Sequence, residues 1–169
     1  MKDIHIKFIP QAEQRYADVG QVGDYWETDS TIEFRITEFA NPAYSHAILM
    51  HELHEKFRNN QLGILDRDVD QFDIDNADAD DPGMLPDAPY HIPHCEADAI
   101  ERAVILYCGE DWAKYDSAVE HEIMLYLTNK LQEYALQHPC FPSLNSFLIT
   151  METRYLEGLY IHAWSEPVA

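Results

Sequence analysis

Residues 41–63 read Asn-Pro-Ala-Tyr-Ser-His-Ala-Ile-Leu-Met-His-Glu-Leu-His-Glu-Lys-Phe-Arg-Asn-Asn-Gln-Leu-Gly, and the fold prediction starts from this segment. Asn41 suits a helix N-cap and Pro42 suits the first helical position, so a helix is predicted to begin at Pro42. It is predicted to end near Asn60, because Gly63 follows and glycine favours the backbone conformation that closes helices. Four apolar residues at helical spacing predict the face that packs in the core: Leu49, Met50, Leu53 and Phe57.

The middle of this helix carries side chains that bind metal ions. Imidazole nitrogens and carboxylate oxygens are ligands that suit zinc and its neighbours. Residues four positions apart lie on one face of a helix, so His51 and Glu55 can bind one cation together. Glu52 projects to the side of this pair. His54 lies off the stripe that His51 and Glu55 share, so it is predicted to be a neighbour of the site and not a ligand.

A small sheet is predicted before the helix. Residues 4–9 alternate weakly between apolar and polar side chains, whereas residues 31–37 alternate strictly. Such alternation is typical of strands with one buried face. A short strand at residues 24–27 completes a predicted antiparallel sheet of three strands.

The rest of the chain is predicted to be mainly helical. Residues 66–90 are rich in aspartate and predict an acidic loop, in which residues 69–74 could form a short helical turn. This region lacks the glycine and the glutamate that a calcium loop of the EF-hand type requires. Further helices are predicted at residues 93–107, 118–137 and 143–162. The predicted fold class is therefore α+β, with a small N-terminal antiparallel sheet followed by about four main helices.

Composition restricts the partners and the compartment. The 169 residues carry 31 acidic and 11 basic side chains, for a formal net charge of −20. Such a surface repels nucleic acid and anionic membranes, so no direct binding to either is predicted; a basic host protein would suit it. The three cysteines are not closely spaced, and neither a secretory segment nor a membrane span is predicted. A cytoplasmic location is expected, in the host cell if a phage encodes the protein.

The helix around His51 resembles that of the zinc peptidases, in which His-Glu-x-x-His supplies two ligands and the glutamate acts as general base. Here Glu55 stands at the second ligand position. The resemblance implies a zinc site formed by His51, Glu55 and His94, with Glu52 as the base; manganese and iron suit the same ligands. It also implies that the strand at residues 31–37 is the edge strand that aligns a peptide. Three residues are predicted to orient the ligands or to replace one: His91, Asp98 and Glu101.

The chain also resembles an uncharacterised family found in phages, prophages and bacteria. Its members carry a His-Glu-Leu-x-Glu helix, a Val-Asp-x-Phe-Asp segment and a Pro-Tyr…His…Ile-Glu-Arg helix. The resemblance covers roughly residues 4–116, and Pro93 stands where the family often has glutamate. The matching segments are Gln14-Arg15-Tyr16, Val22-Gly23-Asp24-Tyr25-Trp26, Leu49-Met50-His51-Glu52-Leu53-His54-Glu55, Val69-Asp70-Gln71-Phe72-Asp73, Asp81-Pro82, Ala88-Pro89-Tyr90, His94 and Ala99-Ile100-Glu101-Arg102. The resemblance implies a zincin-like core at residues 1–115, with residues 116–169 as a helical extension packed on it within one domain.

Three functional hypotheses follow from the sequence. The first is a zinc-dependent, peptidase-like hydrolase that acts on a peptide or protein. The second is a phage accessory protein in which the metal site is structural. The third is an acidic inhibitor of a host defence protein that imitates the charge of DNA. An open coordination position beside Glu52 favours catalysis, whereas a closed shell of four ligands favours a structural site.

Overall fold

A computed structural model describes residues 2–77, 79 and 81–137 of the chain. Three strands come first, followed by four helices, with single helical turns at Gln11–Glu13, Ala17–Val19 and Pro82–Met84. The strands are β1 (Asp3–Ile9), β2 (Gly23–Glu27) and β3 (Thr31–Thr37). The helices are α1 (Pro42–Leu62), α2 (Asp66–Asp75), α3 (His91–Tyr107) and α4 (Trp112–Gln137). The predicted α+β class, with a small N-terminal sheet and four helices, is confirmed.

The sheet is mixed and not antiparallel as predicted. Its order is β1-β3-β2, in which β1 pairs parallel with β3 and β2 pairs antiparallel with β3. Alternation of side chains reports which face is buried but not the direction of a neighbouring strand, so the sequence could not distinguish the two patterns. The prediction that residues 31–37 form an edge strand is wrong, because β3 lies in the centre of the sheet. The strand that contacts α1 from the edge of the sheet is β2.

Helix α1 begins and ends as its caps predict. The Asn41 side chain accepts a hydrogen bond of 3.1 Å from the Ala43 N–H, and Gly63 closes the helix at φ 73°. The buried face differs from the predicted one. Phe57 is 57% exposed, whereas Ala47 and Ile48 join the main hydrophobic cluster, which also contains Ile36, Ile105 and Tyr115.

Polar residues also lie on the buried face of α1, and partners from other elements explain their burial. The Lys56 ammonium contacts Glu27 at 3.0 Å and Asp66 at 2.6 Å. The Asn59 amide donates a 2.7 Å hydrogen bond to the Tyr25 hydroxyl. Buried polar groups are stable when they are paired in this way. The core face of α1 that was predicted from apolar periodicity is therefore wrong, because periodicity does not identify buried polar residues.

The acidic region contains a longer helix than the short turn at residues 69–74 that the sequence suggested within a loop. Helix α2 spans Asp66–Asp75, with Asp66 and Asp68 in its first turn. Carboxylates at this end stabilise a helix through a favourable interaction with its dipole. Val69 is buried in a second small cluster with Ala88 and Tyr90. A few apolar contacts thus fix this helix, although aspartates dominate its sequence.

The chain forms two compact units, Met1–Ile123 and Met124–Ala169. All elements from β1 to α3 lie in the first unit, and the described part of the second unit is residues 124–137 of α4. The predicted helix at residues 143–162 lies outside the described residues. The division into a core at residues 1–115 and an extension at residues 116–169 stays a prediction. Among the described helices, each is too short or too polar to cross a membrane.

Candidate metal centre

The packing of α1 against α3 brings together the three predicted ligands. His51 and Glu55 extend from α1, and His94 extends from the first turn of α3. Nδ1 of His94 lies 2.9 Å from Oε2 of Glu55, and Nε2 of His51 lies 3.6 Å from the same oxygen. One ligand atom from each residue lies within 4.8 Å of the other two. These three residues could therefore hold a metal ion, as the sequence predicts.

The three side chains are well shielded from solvent. Their exposed fractions are 12% for His51, 6% for Glu55 and 15% for His94. Removing charged groups from water costs free energy unless opposite charges compensate it. A carboxylate held between two imidazoles at this depth is consistent with a site built for a cation.

Each histidine has a carboxylate behind it, on the side away from Glu55. Nδ1 of His51 lies 2.6 Å from Oε2 of Glu101, although the two atoms lack the alignment of a hydrogen bond. Nε2 of His94 lies 3.2 Å from the carboxylate of Asp81. Histidines that bind metal through one nitrogen usually give the other N–H to a carboxylate or carbonyl, which orients the ring. His94 has this arrangement, and for His51 the carboxylate of Glu101 lies at ion-pair distance from Nδ1.

Glu55 is oriented in a similar way from the sheet. The Tyr25 hydroxyl of β2 donates a 2.8 Å hydrogen bond to Oε1 of Glu55, which leaves Oε2 facing the two histidines. Asn59, one turn further along α1, donates to the same hydroxyl. The Tyr115 hydroxyl donates to Glu101 and so fixes the carboxylate behind His51. All three candidate ligands are thus held by partners from different elements.

Glu52 lines the same cavity but takes no part in this network. Within the described residues, its carboxyl group forms no hydrogen bond. It is partly buried, and burial raises its pKa to about 8, with Glu55 adding to the shift and His51 opposing it. A carboxyl group with a pKa near neutrality can both accept and release a proton.

Burial and pairing oppose each other in the pKa values of the triad. Burial acts to raise the pKa of Glu55, but the hydrogen bond from His94 and the nearby His51 ring outweigh it and lower the pKa to about 2. Burial acts to lower the pKa of His94, but Asp81 and Glu55 outweigh it and raise the pKa to about 10. The pKa of His51 is also raised well above its usual value, because Glu101 and Glu55 outweigh burial. Without a metal, His94 is therefore protonated at neutral pH, and the pKa of His51 is shifted in the same direction.

Zinc affinity is expected to rise steeply with pH. A zinc ion must displace a proton from His94, so the apparent affinity should increase by at least about 10-fold per pH unit between pH 6 and 8. Calorimetry in buffers of different ionisation enthalpy should record the release of at least about one proton. A proton release near zero, with an affinity that does not change over this range, would contradict the proposed ligand set.

The stability of the metal-free protein should show the opposite trend above neutrality. The pKa of His94 is about 10 in the fold against an ordinary 6.5, so its pairing stabilises the fold fully below pH 6.5 and progressively less towards pH 10. The pKa of Glu55 is about 2 against 4.5, so its contribution is present above pH 4.5 and lost towards pH 2. Zinc should therefore add most stability above pH 6.5.

The triad opens onto a cavity of about 460 Å³. Nine acidic residues line it, and Arg102 is the one lysine or arginine among the described lining residues. Arg102 is paired with Asp98 at 3.1 Å and stacks on Trp112. Asp73, which accepts a hydrogen bond from the Tyr90 hydroxyl, has its pKa raised to about 6, mainly by burial. The cavity thus combines a strongly negative lining with space for a ligand beside the triad.

Two glycines allow the backbone to approach the site closely. A Cβ atom on Gly23 of β2 would lie 2.3 Å from Oε1 of Glu52 and 2.7 Å from a methyl group of Ile48. A Cβ atom on Gly83 would lie 2.5–2.7 Å from the ring of His94. Distances this short require the neighbouring side chain to move. The absence of a side chain at Gly23 therefore leaves the space that Glu52 occupies, and the absence of one at Gly83 leaves the space that the His94 ring occupies.

Substitution of Gly83 by alanine is expected to lower zinc affinity by about 10–100-fold, the effect typical of disturbing a group that orients a ligand. The matched variant is Gly23→Ala, in which the added methyl group meets Glu52 and Ile48 instead of a ligand. Its zinc affinity should stay close to that of the wild type. Competition with a chromophoric zinc chelator measures both values, and equal affinities for the two variants would count against this role of Gly83.

The other predicted site residues lie in different places. Glu101 contacts His51, as described, whereas Asp98 pairs with Arg102. His91 contacts the Gly83 carbonyl at 3.0 Å and does not join the triad. His54 pairs with Glu96 away from the triad, in agreement with its predicted role as a neighbour.

Several residues of the site were not identified from the sequence. Asp81 contacts His94 from the loop before α3, Tyr25 contacts Glu55 from β2, and Gly23 of β2 lies against Glu52. They lie in the segments that carry the resemblance to the phage family, which was the available signal for them. No family model, curated protein or solved structure matches this chain.

Proposed function

We propose that the protein is a zinc-dependent hydrolase of the peptidase type, with the metal held by His51, Glu55 and His94 and with Glu52 as general base. The observation that carries this proposal is the arrangement of the site. Three ligands are each held by a second group, and a carboxyl group without a hydrogen bond in the described structure lies next to them in a cavity. Catalytic zinc sites generally have three protein ligands and one open position.

The residues of the chain suit this chemistry. A zinc ion bound here would polarise a carbonyl group and lower the pKa of a coordinated water. Glu52 can take a proton from a water molecule in the cavity and pass it to the leaving group, because its pKa of about 8 lies close to neutrality. Asp81 and Glu101 hold the histidine rings, and Tyr25 holds Glu55.

The lining of the cavity supports a basic peptide as the substrate class. Acidic residues from several elements line the cavity around the triad. Examples are Asp73 on α2, Glu101 on α3 and Asp116 on α4. A cavity lined by one sign of charge concentrates ligands of the opposite sign. A peptide with lysine or arginine near the scissile bond is therefore favoured over an acidic one.

The test is digestion of a defined mixture of unstructured peptides by the zinc-loaded protein, followed by mass spectrometry. Cleavage beside basic residues is expected, with loss on chelation and recovery on addition of zinc. Zinc binding at one ion per chain without cleavage of any peptide would instead assign the ion a structural role. No zinc binding at all would overturn the metal site as well.

A second candidate function is that of an acidic inhibitor of a basic host protein. The observation that favours it is helix α2, which arranges five aspartates along ten residues where an acidic loop was predicted. We also propose kinship with the phage family, and the second hypothesis depends on that kinship because its partner is a host protein. It predicts capture of a DNA-binding protein from host extract that salt abolishes and a chelator does not affect. Retention of that partner in high salt would count against charge mimicry.

A further inference from the structure

Strand β1 has an open edge that the zinc centre does not explain. Among the described residues, β1 pairs with β3 on one side and no strand pairs with it on the other. Its register with β3 is unbroken over Asp3–Ile9, and this segment contains no proline. Proteins usually protect an edge with a proline, a bulge or a covering element, because an open edge can pair with another chain. Strand β1 lacks the first two of these devices.

The backbone groups at this open edge belong to Ile4, Ile6 and Phe8. The Asp3 N–H donates a 3.0 Å hydrogen bond to the carbonyl of Ser30, immediately before β3. The N–H and C=O groups of successive residues in a strand point to alternate sides. The odd-numbered residues of β1 therefore bond to β3, and the even-numbered residues direct their donors and acceptors outward.

The same three residues carry exposed apolar side chains. The exposed fractions are 57% for Ile4, 41% for Ile6 and 47% for Phe8. Ile6 and Phe8 are in register with Phe34 and Ile36 of β3, which are buried. The apolar face of the sheet thus continues as far as the open edge, where it meets solvent. An added strand would satisfy the free backbone groups and cover part of this apolar surface.

The polar face of β1 has charges that complement those of a second β1 strand. Asp3 and Lys7 are exposed, and neither forms an ion pair with another described residue. Lys7 is in register with Arg35 of β3, which places two cations on neighbouring strands. In an antiparallel pair of β1 strands centred on His5, Asp3 lies opposite Lys7 of the second copy. The symmetry repeats this contact, with Lys7 opposite the second Asp3.

We propose that two copies of this chain associate through antiparallel pairing of their β1 strands, centred on His5. Ile4 of each copy then lies opposite Ile6 of the other, and these residues exchange backbone hydrogen bonds. A pair centred on Ile6 would also align the apolar faces, but it would place Lys7 opposite His5 instead of Asp3. Opposite charges across a strand pair stabilise it, which favours the register centred on His5. The two sheets join into one, independently of the zinc centre.

Sedimentation equilibrium of the zinc-loaded full chain tests this proposal. The wild type is expected to form a dimer. Asp3→Lys and Lys7→Asp should each weaken it by about 10-fold, because each places like charges at two symmetric positions. The double variant reverses both charges, restores opposite pairs and should recover the wild-type affinity. If only net charge mattered, Asp3→Lys would instead strengthen the dimer, because it reduces the repulsion between two acidic chains.

Disulfide cross-linking tests the register. In the pair centred on His5, the two His5 residues occupy a position without hydrogen bonds, where Cα atoms lie about 4.5 Å apart. A disulfide requires a separation of about 4.4–6.8 Å, so His5→Cys should cross-link two copies under mild oxidation. The matched control is Lys7→Cys on the same face of the strand. Its two sulfurs would be four residues out of register, more than about 13 Å apart, and should not cross-link.

Peptide mapping by mass spectrometry distinguishes this cross-link from disulfides of the native cysteines. Zinc content and thermal unfolding verify that each variant retains its fold. A wild type that stays monomeric at every concentration would overturn the proposal. A dimer whose affinity is the same in Asp3→Lys and Lys7→Asp would place the interface elsewhere and would overturn it as well. Equal cross-linking of His5→Cys and Lys7→Cys would contradict the register.

Discussion

Alanine at position 94 is expected to abolish stoichiometric zinc binding and to destabilise the metal-free protein. His94 is the one ligand that α3 supplies to the triad, and its removal leaves the carboxylates of Glu55 and Asp81 without their partner. Removal of one member of a buried ion pair typically costs about 3–5 kcal/mol, and the partial exposure of Asp81 favours the lower end of this range. Zinc affinity should fall by more than about 100-fold, beyond the cost of losing an orienting group.

Elemental analysis and thermal unfolding measure these two effects. Zinc at 100 times its dissociation constant should stabilise the wild type by about 2.7 kcal/mol, and the melting temperature should rise accordingly. The His94→Ala protein should show a lower melting temperature that zinc does not restore. One zinc ion per chain in this variant would place the metal elsewhere in the molecule.

His54→Ala is the matched control for this experiment. His54 lies on α1, where its side chain pairs at 3.2 Å with the more exposed Glu96. This substitution also replaces a helical histidine by alanine, but it leaves every candidate ligand in place. Zinc content and the zinc-dependent rise in melting temperature should match those of the wild type. A loss of zinc in both variants would indicate a general disturbance of the fold and not the loss of a ligand.

The part of the site that could be predicted is the part with local periodicity. The spacing of His51 and Glu55 defines one helical face regardless of what packs on it, and Asn41 and Gly63 define the ends of the same helix. His94 could be predicted as the third ligand because it is the histidine near the start of a later helix with acids at helical spacing. These inferences require only backbone geometry that every α-helix shares.

Glu101 was predicted to orient a ligand, because it shares a helical stripe with His94, but Tyr25 and Asp81 could not be predicted in the same way. Tyr25 and Asp81 reach the triad from a strand and a loop, so their roles depend on how those elements pack. The polar face of α1 was misjudged for the same reason: Lys56 and Asn59 are buried because partners distant in sequence pair with them. Pairing of this kind leaves no periodic signal in the sequence.

The second large effect is expected from Glu52→Gln, which should lower peptide cleavage by about 10²–10⁴-fold while zinc content stays at one ion per chain. Glutamine has nearly the same size as glutamate but cannot accept the proton. Among the described residues no hydrogen bond to the Glu52 carboxyl is present, so the substitution leaves the contacts between His51, Glu55 and His94 in place. It also removes an acid whose pKa is raised to about 8, so the stability of the variant should equal or exceed that of the wild type above pH 8.

The comparison that separates catalysis from structure is Glu52→Gln against Glu55→Gln, measured for cleavage and zinc content together. Both variants lose one carboxylate from the same turn of α1, but Glu55 contacts both histidines and Glu52 contacts neither by a hydrogen bond. Glu55→Gln should therefore lose zinc and cleavage together, whereas Glu52→Gln should lose cleavage alone. If Glu52→Gln instead cleaves peptides as fast as the wild type, the general base must be another group, and the remaining acids of the cavity, among them Asp73 with a pKa raised to about 6, become the next to test.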